Sequence, residues 1–237
     1  MRRRTVGVID RDELIARQLR DVDGYDPEHV IRVLEPLVLE RRRERILHVV
    51  EQRLASVSVV FDAPHDPFNG AAVLRTSEAF GVHTIHVIER KESFLAAGSV
   101  TRNAHKWIDL RLYNSAASAI SELRAQKMTL VGAHPEGELI PDDLASIPRL
   151  GIVLGNEHDG IAQDLMSACD ETVRVPMRGM VESLNVSVTA AVLLLSRATL
   201  GRPGDLDPAA KARLYARGLF FTVQRASEVL GPVPATF

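Results

Sequence analysis

The stretch Val175-Pro-Met-Arg-Gly-Met-Val-Glu-Ser-Leu-Asn185 is a polar loop that leads directly into the apolar, alanine-rich segment 186–195. Ser183 and Asn185 stand just before that segment, and side-chain oxygens of serine and asparagine accept the unpaired N–H groups of a helix N-terminus. The segment is therefore predicted to be a helix whose N-terminus suits a carboxylate or a phosphate. Helix capping alone explains an isolated Ser-x-Asn, so a ligand site at this helix N-terminus can be inferred only with support from the rest of the chain.

Along the chain, strand-like segments alternate with helical ones. Strands are predicted at 57–61, 83–88, 128–133, 151–154 and 172–175, and helices at 40–54, 69–80, 115–127, 161–169, 185–200 and 209–230. This alternation indicates an α/β fold with a parallel sheet flanked by helices. Ligands of such sheets bind beyond the carboxyl ends of the strands. Three polar loops are expected there: the first loop (62–69), the second loop (155–160) and the third loop (175–185).

The composition limits the class of protein. The chain has 237 residues, of which 46% are hydrophobic and 25% charged, as in an ordinary globular protein. A formal net charge of −2 argues against a protein that binds nucleic acid through a uniformly basic surface. The lone Cys169 excludes an intrachain disulfide and favours a cytoplasmic location. The apolar segment 186–195 is about half of the roughly 20 residues that a membrane span needs.

Several common motifs of catalysis are missing from the sequence. It contains neither the glycine-rich dinucleotide fingerprint nor the phosphate-binding loop that ends in Gly-Lys-Ser/Thr. It has no Gly-x-Ser-x-Gly nucleophile elbow. Its eight histidines do not pair with cysteine or carboxylate at zinc spacing, so no metal ion is expected.

Three ordered motifs resemble those of the SpoU/TrmH family, the S-adenosylmethionine-dependent RNA ribose 2′-O-methyltransferases of the SPOUT class. They are Asn69-x5-Arg75, then Gly155-Asn-Glu157, then Pro176-Met-x-Gly-Met-Val-x-Ser183-Leu-Asn185. The resemblance covers roughly residues 41–200. By length and by its closing helix the chain is most similar to the TrmH branch, the tRNA guanosine-18 2′-O-methyltransferases.

The resemblance implies a particular architecture. It implies a parallel sheet with a C-terminal trefoil knot, which is a rare exception to general topology rules. It also implies a homodimer with the active site at the subunit interface. The expected organisation is a helical N-terminal extension at 1–38, the methyltransferase domain at 39–201, and a linker with a helix at 202–237.

The same resemblance implies which residues act in catalysis. Arg75 matches the family's essential arginine, and because a guanidinium stays protonated we expect it to clamp a phosphate and stabilise the developing alkoxide. Asn69 is expected to cap the helix 69–80 and to position Arg75 or the ribose. Glu157 is expected to order the second loop, although an acidic residue before a helix also simply compensates the helix dipole. Ser183 and Asn185 match residues beside the reacting ribose.

Cofactor and RNA contacts are also implied. S-adenosylmethionine is bound in the family largely by backbone groups of the knot loops, which map to Ala133, His134, Leu154, Gly155, Val175, Met177 and Leu184. Local positive charge supplies the RNA-binding candidates Arg41, Arg42, Arg43, Arg45, Arg102, Lys106 and Arg178. The arginine run of the helix 40–54 is also compatible with an ordinary solvated helix face.

The expected function is S-adenosylmethionine-dependent 2′-O-methylation of a tRNA ribose, at a guanosine of the D-loop. One alternative is methylation of ribosomal RNA, including the antibiotic-resistance type, although residues 1–38 look too short for the N-terminal RNA-binding domain usual there. A second alternative is a non-catalytic RNA-binding module, against which the complete set of motif residues argues.

Overall fold

The computed structural model describes residues 22–90, 104–156, 158–194 and 198–233. These residues fall into two units: the described parts of Met1–Leu47 and Pro208–Phe237 form one, and those of His48–Asp207 form the other. The methyltransferase domain that the resemblance implies at 39–201 stays a prediction. Among the described residues, none of the helices combines the length and apolar character needed to cross a bilayer.

A parallel sheet organises the unit His48–Asp207. Among the described residues it has six strands: Leu54–Asp62 (β1), Val82–Ile88 (β2), Asp109–Tyr113 (β3), Thr129–Ala133 (β4), Leu150–Leu154 (β5) and Glu171–Val173 (β6). Their order in the sheet is β3-β2-β1-β5-β4-β6, and every neighbouring pair is parallel. The predicted parallel α/β sheet is therefore confirmed, and the carboxyl ends of all the strands lie along one edge.

Eight α-helices accompany the strands within the described part of the chain. They are Pro27–Leu34 (α1), Glu40–Glu51 (α2), Pro67–Ala79 (α3), Ala116–Ala125 (α4), Gln163–Met166 (α5), Val186–Leu193 (α6), Pro208–Phe220 (α7) and Ala226–Leu230 (α8).

The two faces of the sheet are both covered, which explains the continuous apolar runs in the central strands. Val59 and Phe61 of β1 belong to a buried cluster that also contains Val73 of α3 and Leu193 of α6. Val60, which points to the other face, packs in a separate cluster with residues of α4 and α5. Alternate residues of one strand thus contact opposite helix layers, as the two-residue period of a strand requires.

The smaller unit is helical. Asp26 accepts a hydrogen bond from the backbone N–H of His29 at 3.1 Å, and Pro27 follows at the first helical position. An N-cap aspartate followed by proline is a favoured way to start a helix. The hydroxyl of Tyr215 in α7 donates to Glu35 at 2.7 Å, which ties the N-terminal helices of this unit to its C-terminal ones.

Several predicted helix limits were wrong. The helix predicted at 209–230 is interrupted between α7 and α8, where Arg225 adopts a left-handed backbone conformation with φ of 54°. The helix predicted at 40–54 ends at Glu51, and Leu54 already belongs to β1 because it pairs with Val82. The helix predicted at 161–169 is only the single turn of α5.

A buried polar network joins β2, β3 and α4. Nδ1 of the fully buried His86 lies 2.8 Å from the hydroxyl of Tyr113, and that hydroxyl donates to Glu122 at 2.7 Å. Because the single proton of this hydroxyl is donated to Glu122, the hydroxyl accepts from Nδ1–H of His86. Burial, aided by the nearby Arg111 and partly opposed by Asp109, lowers the pKa of His86 to about 4.

Acidification is expected to destabilise the protein through His86. The imidazole titrates near pH 6.5 in the unfolded chain and near pH 4 in the native one, so the unfolded state binds more protons between these values. The free energy of unfolding should fall by about 2 kcal/mol from pH 7 to pH 5 on account of this residue. His86→Asn keeps a donor but does not titrate. In urea unfolding at the two pH values, the free energy of unfolding of this variant should therefore fall by correspondingly less. The same loss in both proteins would contradict this assignment.

Candidate active site

A cavity of about 700 Å³ opens at the carboxyl ends of β4, β5 and β6. Its volume is in the range of about 300–1,000 Å³ typical of small-molecule sites. Its walls come from residues 133–135 after β4, from the second loop after β5, and from the third loop after β6. The cavity therefore lies at the edge where the parallel topology predicts a ligand.

The structure brings the seven predicted cofactor-binding residues together in this cavity. Ser183 and Asn185, two of the predicted catalytic residues, line it as well. The seven come from the last residues of β4 and β5 and from the connections after β4, β5 and β6, and all of them line the cavity: Ala133, His134, Leu154, Gly155, Val175, Met177 and Leu184.

The chain after β4 passes around the end of β6. Val173 pairs with Ala133 on one side and forms a parallel bridge to Leu139 on the other. The backbone N–H of Leu139 donates to Thr172 at 2.9 Å. Gly137 allows this close passage, since a Cβ there would lie 2.4 Å from the carbonyl carbon of Val173. The trefoil knot itself stays a prediction.

The second loop is a tight turn built on Asn156. Its side-chain oxygen accepts from the backbone N–H groups of His158 at 2.8 Å and Asp159 at 2.7 Å, and its backbone pairs with Gly160 in both directions. This role of Asn156 was not foreseen, although asparagine commonly closes turns in this way. The predicted catalytic residue Glu157 lies outside the described residues.

Asn185 joins the third loop to α3. Its side-chain oxygen accepts from the backbone N–H of Ser187 at 2.8 Å, which confirms the predicted N-cap of α6. Its amide nitrogen donates to the side-chain oxygen of Asn69 at 3.0 Å. One asparagine thus caps a helix and connects two of the three predicted motifs. Ser183 is exposed at the cavity and is not the capping residue.

The prediction that Asn69 caps its own helix was wrong. Asp66 is the N-cap of α3, with its carboxylate accepting from the backbone N–H of Phe68 at 2.8 Å, and Pro67 takes the first helical position. An Asp-Pro pair starts a helix more effectively than an asparagine inside the first turn. As a result, the side chain of Asn69 is available to accept from Asn185.

Arg75 lies on the exposed surface of α3 and does not line the cavity. At 1.5 Å and 100° per residue, it stands about 9 Å along the helix from Asn69 and about 120° around it. Its guanidinium makes no hydrogen bond or ion pair with another described residue. The described residues therefore bring Asn69 and Asn185 together and leave Arg75 open to a ligand or to another chain.

The candidate RNA-binding residues occupy different places. Arg178 is exposed on the third loop, and Lys106 is half-buried on the short 3-10 turn Ala104–Lys106. Arg41, Arg42 and Arg45 are exposed on α2. Arg43 is half-buried, and its Nε is buried without a hydrogen-bond partner among the described residues. Arg102 lies outside the described residues.

The fold, the cavity and the ordered motifs define a methylase of the SpoU type. Residues 56–195 match the model of the SpoU rRNA methylase family, and the chain belongs to this family. Among individual proteins it is similar to the tRNA (guanosine(18)-2′-O)-methyltransferase of Escherichia coli K12, with 29% identity over 154 residues that cover 65% of this chain and 67% of the relative. The protein of the same name from Thermus thermophilus is 31% identical over 156 residues, covering 65% of this chain and 80% of the relative.

Solved structures share the fold. The TrmH/SpoU tRNA modifying enzyme of Aquifex aeolicus superposes with a TM-score of 0.69 at 22% identity, covering 78% of this chain and 98% of the other. The SpoU methyltransferase AviRb of Streptomyces viridochromogenes, in complex with the cofactor AdoMet, has a TM-score of 0.54 at 24% identity. That match covers 62% of this chain and 60% of AviRb.

Gly155 is expected to be indispensable for the shape of the second loop. A Cβ at this position would lie 2.1 Å from the carbonyl carbon of Gly160 and 2.3 Å from the nitrogen of Ile161. Since both are backbone atoms, Gly155→Ala should reduce the free energy of unfolding by about 1–3 kcal/mol in urea titrations. Gly179→Ala is the control, because an added Cβ there meets nothing within 4 Å. Similar losses in the two variants would refute the close approach.

Proposed function

We propose that the protein transfers a methyl group from S-adenosylmethionine to a ribose 2′-hydroxyl of tRNA, at a guanosine of the D-loop. The observation that carries the proposal is the convergence of the seven motif-derived cofactor residues, with Ser183 and Asn185, in one cavity. Membership of the SpoU family supports the reaction. The names of the relatives from several bacteria support tRNA and guanosine 18 as the target.

The cavity suits S-adenosylmethionine in its chemistry. Leu154, Ile161 and Val175 supply apolar wall, as the adenine ring requires, and Gly155 exposes backbone at the same wall. The carboxylates of Asp159 and Glu182 also line the cavity, and their charge complements the sulfonium and ammonium groups of the cofactor. When bound, this cofactor supplies the electrophilic methyl group.

The protein's own residues orient the ribose and favour its deprotonated oxygen. Ser183 and Asn185 place a hydroxyl and an amide at the cavity wall, where they can hold the sugar in a reactive alignment. The permanently charged guanidinium of Arg75 stabilises the alkoxide and binds a neighbouring phosphate, while phosphate or water takes the proton. Glu157 orders the second loop.

A homodimer completes the proposed active site. The exposed apolar side chains around the motifs include Phe68 at 62% exposure, Met180 at 100%, Val181 at 62% and Val188 at 46%. An apolar set of this kind beside a cavity is typical of an interaction surface. Pairing two copies through it would cover these side chains and place the active site, including Arg75, at the interface.

The proposed RNA contacts are phosphate contacts. Arg41, Arg42 and Arg45, with Lys106 and Arg178, supply local positive charge on a chain whose formal net charge is −2. Arg43 and Arg102 complete the proposed set. A tRNA substrate, together with the single cysteine, is consistent with a cytoplasmic enzyme.

Mapping of ribose methylation in total RNA from cells with and without the protein tests the proposal. Loss of a methylated D-loop guanosine in tRNA, restored by the purified protein with S-adenosylmethionine, supports it. Loss of a site in ribosomal RNA instead would establish the alternative substrate. No lost site and no transfer in vitro would overturn the enzymatic function and favour a non-catalytic RNA-binding module.

Arg75 is expected to act on the reaction and to leave cofactor binding intact. Arg75→Ala should lower the rate of methyl transfer to tRNA by at least about 100-fold, since removal of one charge-stabilising donor typically costs that much. Calorimetric affinity for S-adenosylmethionine should stay within about twofold, because Arg75 does not line the cavity. Arg75→Lys keeps the charge without the planar fork, so its rate of methyl transfer should lie between the rates of the wild type and of Arg75→Ala. Transfer at the wild-type rate in Arg75→Ala would disprove the assigned role.

The arginines of α2 are expected to contact RNA backbone. Replacing Arg41, Arg42 and Arg45 by Ser should weaken tRNA binding and reduce the slope of log affinity against log salt by about 2–3, or about 0.7–0.9 for each lost phosphate contact. Arg32→Ser is the control, because Arg32 belongs to α1, outside this group. An unchanged slope in the triple variant, measured by filter binding at several salt concentrations, would rule out the contact.

A further inference from the structure

A buried carboxylate is hydrogen-bonded to the backbone just after the second loop. Asp62 is the last residue of β1 and is only 1% exposed. Its two oxygens accept from Nε of Arg90 at 2.6 Å, from Nη2 of Arg90 at 3.2 Å and from the backbone N–H of Ala162 at 2.9 Å. A buried charge is stable only when paired and hydrogen-bonded in this manner.

Arg90 extends the contact to α5. The same guanidinium donates to Asp164 from Nη1 at 3.0 Å and from Nη2 at 2.6 Å. The pKa of Asp164 is lowered, chiefly by this hydrogen bond, and the pKa of Arg90 is raised by both carboxylates. One planar fork therefore connects the end of β1, the residues after β2 and the start of α5.

β1 contacts both ends of the segment 155–162, a name used here for the described residues 155–156 and 158–162. At its beginning, Leu154 pairs with Phe61, the neighbour of Asp62 in β1. At its end, the N–H of Ala162 is bound by Asp62 itself. Between these two points the segment contributes Gly155, Asn156, His158, Asp159, Gly160 and Ile161 to the cavity wall.

We propose that Asp62 and Arg90 are positioning residues, which hold the segment 155–162 in the shape that binds S-adenosylmethionine. Neither side chain lines the cavity, so their effect reaches the cofactor through the backbone that they hold. The part of the inference that concerns the cofactor rests on the proposed function. The part that concerns the shape of the segment does not.

The opposite end of β1 provides a matched comparison. The side chain of Arg53, just before β1, is 1% exposed and pairs with Glu78 of α3, and it also donates to the carbonyl oxygen of Val82 at 3.3 Å. This is again a largely buried arginine–carboxylate pair that joins β1 to its neighbours. The hydrogen bonds of this pair reach no described residue of the segment 155–162, and neither partner lines the cavity.

The test compares Asp62→Asn with Glu78→Gln in the full-length protein. Both substitutions remove the carboxylate charge of an ion pair that lies at one end of β1, so both should lower the thermal midpoint. Only Asp62→Asn should speed hydrogen exchange at the amide of Ala162 and across 155–162 without cofactor, and only it should raise the Kd for S-adenosylmethionine, by about tenfold or more. Glu78→Gln should keep that Kd within about twofold.

Two outcomes would overturn the inference. One is equal exchange of 155–162 in the two variants, and the other is an equal change in Kd, since either means that Asp62 only stabilises the fold. If Asp62→Asn does not fold, Arg90→Lys replaces it in the test, because this variant keeps the charge and loses the planar fork. Arg90→Lys should show the same changes in exchange and in Kd to a smaller extent. Absence of both changes in Arg90→Lys would equally overturn the inference. Wild-type protein that fails to bind S-adenosylmethionine would refute the proposed function, while the exchange experiment would still decide the role of Asp62.

Discussion

The parallel pairing of β1 with β5, and of β5 with β4, is the constraint on which the rest of the structure depends. Because these strands run in the same direction, the chain leaves all of them at one edge of the sheet. The cavity lies where the connections after β4, β5 and β6 meet. The position of the site thus follows from strand direction, which brings together residues that are far apart in the sequence.

Polar contacts then give the loops at this edge their shape. Asn185 caps α6 and binds Asn69, Asn156 closes the turn of the second loop, and Asp62 holds the N–H of Ala162. Each of the three side chains Asn185, Asn156 and Asp62 satisfies backbone N–H groups that would otherwise be unpaired at the end of a strand or helix.

Sequence patterns identified the strands better than the helix limits. The apolar runs predicted the central strands β1, β2, β4 and β5 to within three residues, because strands covered on both faces are continuously apolar. The start of α3 was misplaced because Asp66 competes with Asn69 as the cap, and capping is decided by geometry as well as by residue type. The break near Arg225 has no proline or glycine to mark it, and its left-handed φ is visible only in the structure.

The sequence by itself determined the family, the alternation of strands and helices, and nine of the residues that line the cavity. Those features depend on residue type and spacing, which are local properties of the chain. Tertiary structure alone decided that Asn69 meets Asn185 across 116 positions, and that Arg90 joins Asp62 to Asp164. Contacts between distant segments depend on strand order and on the path of the connections, which no local pattern of residues specifies.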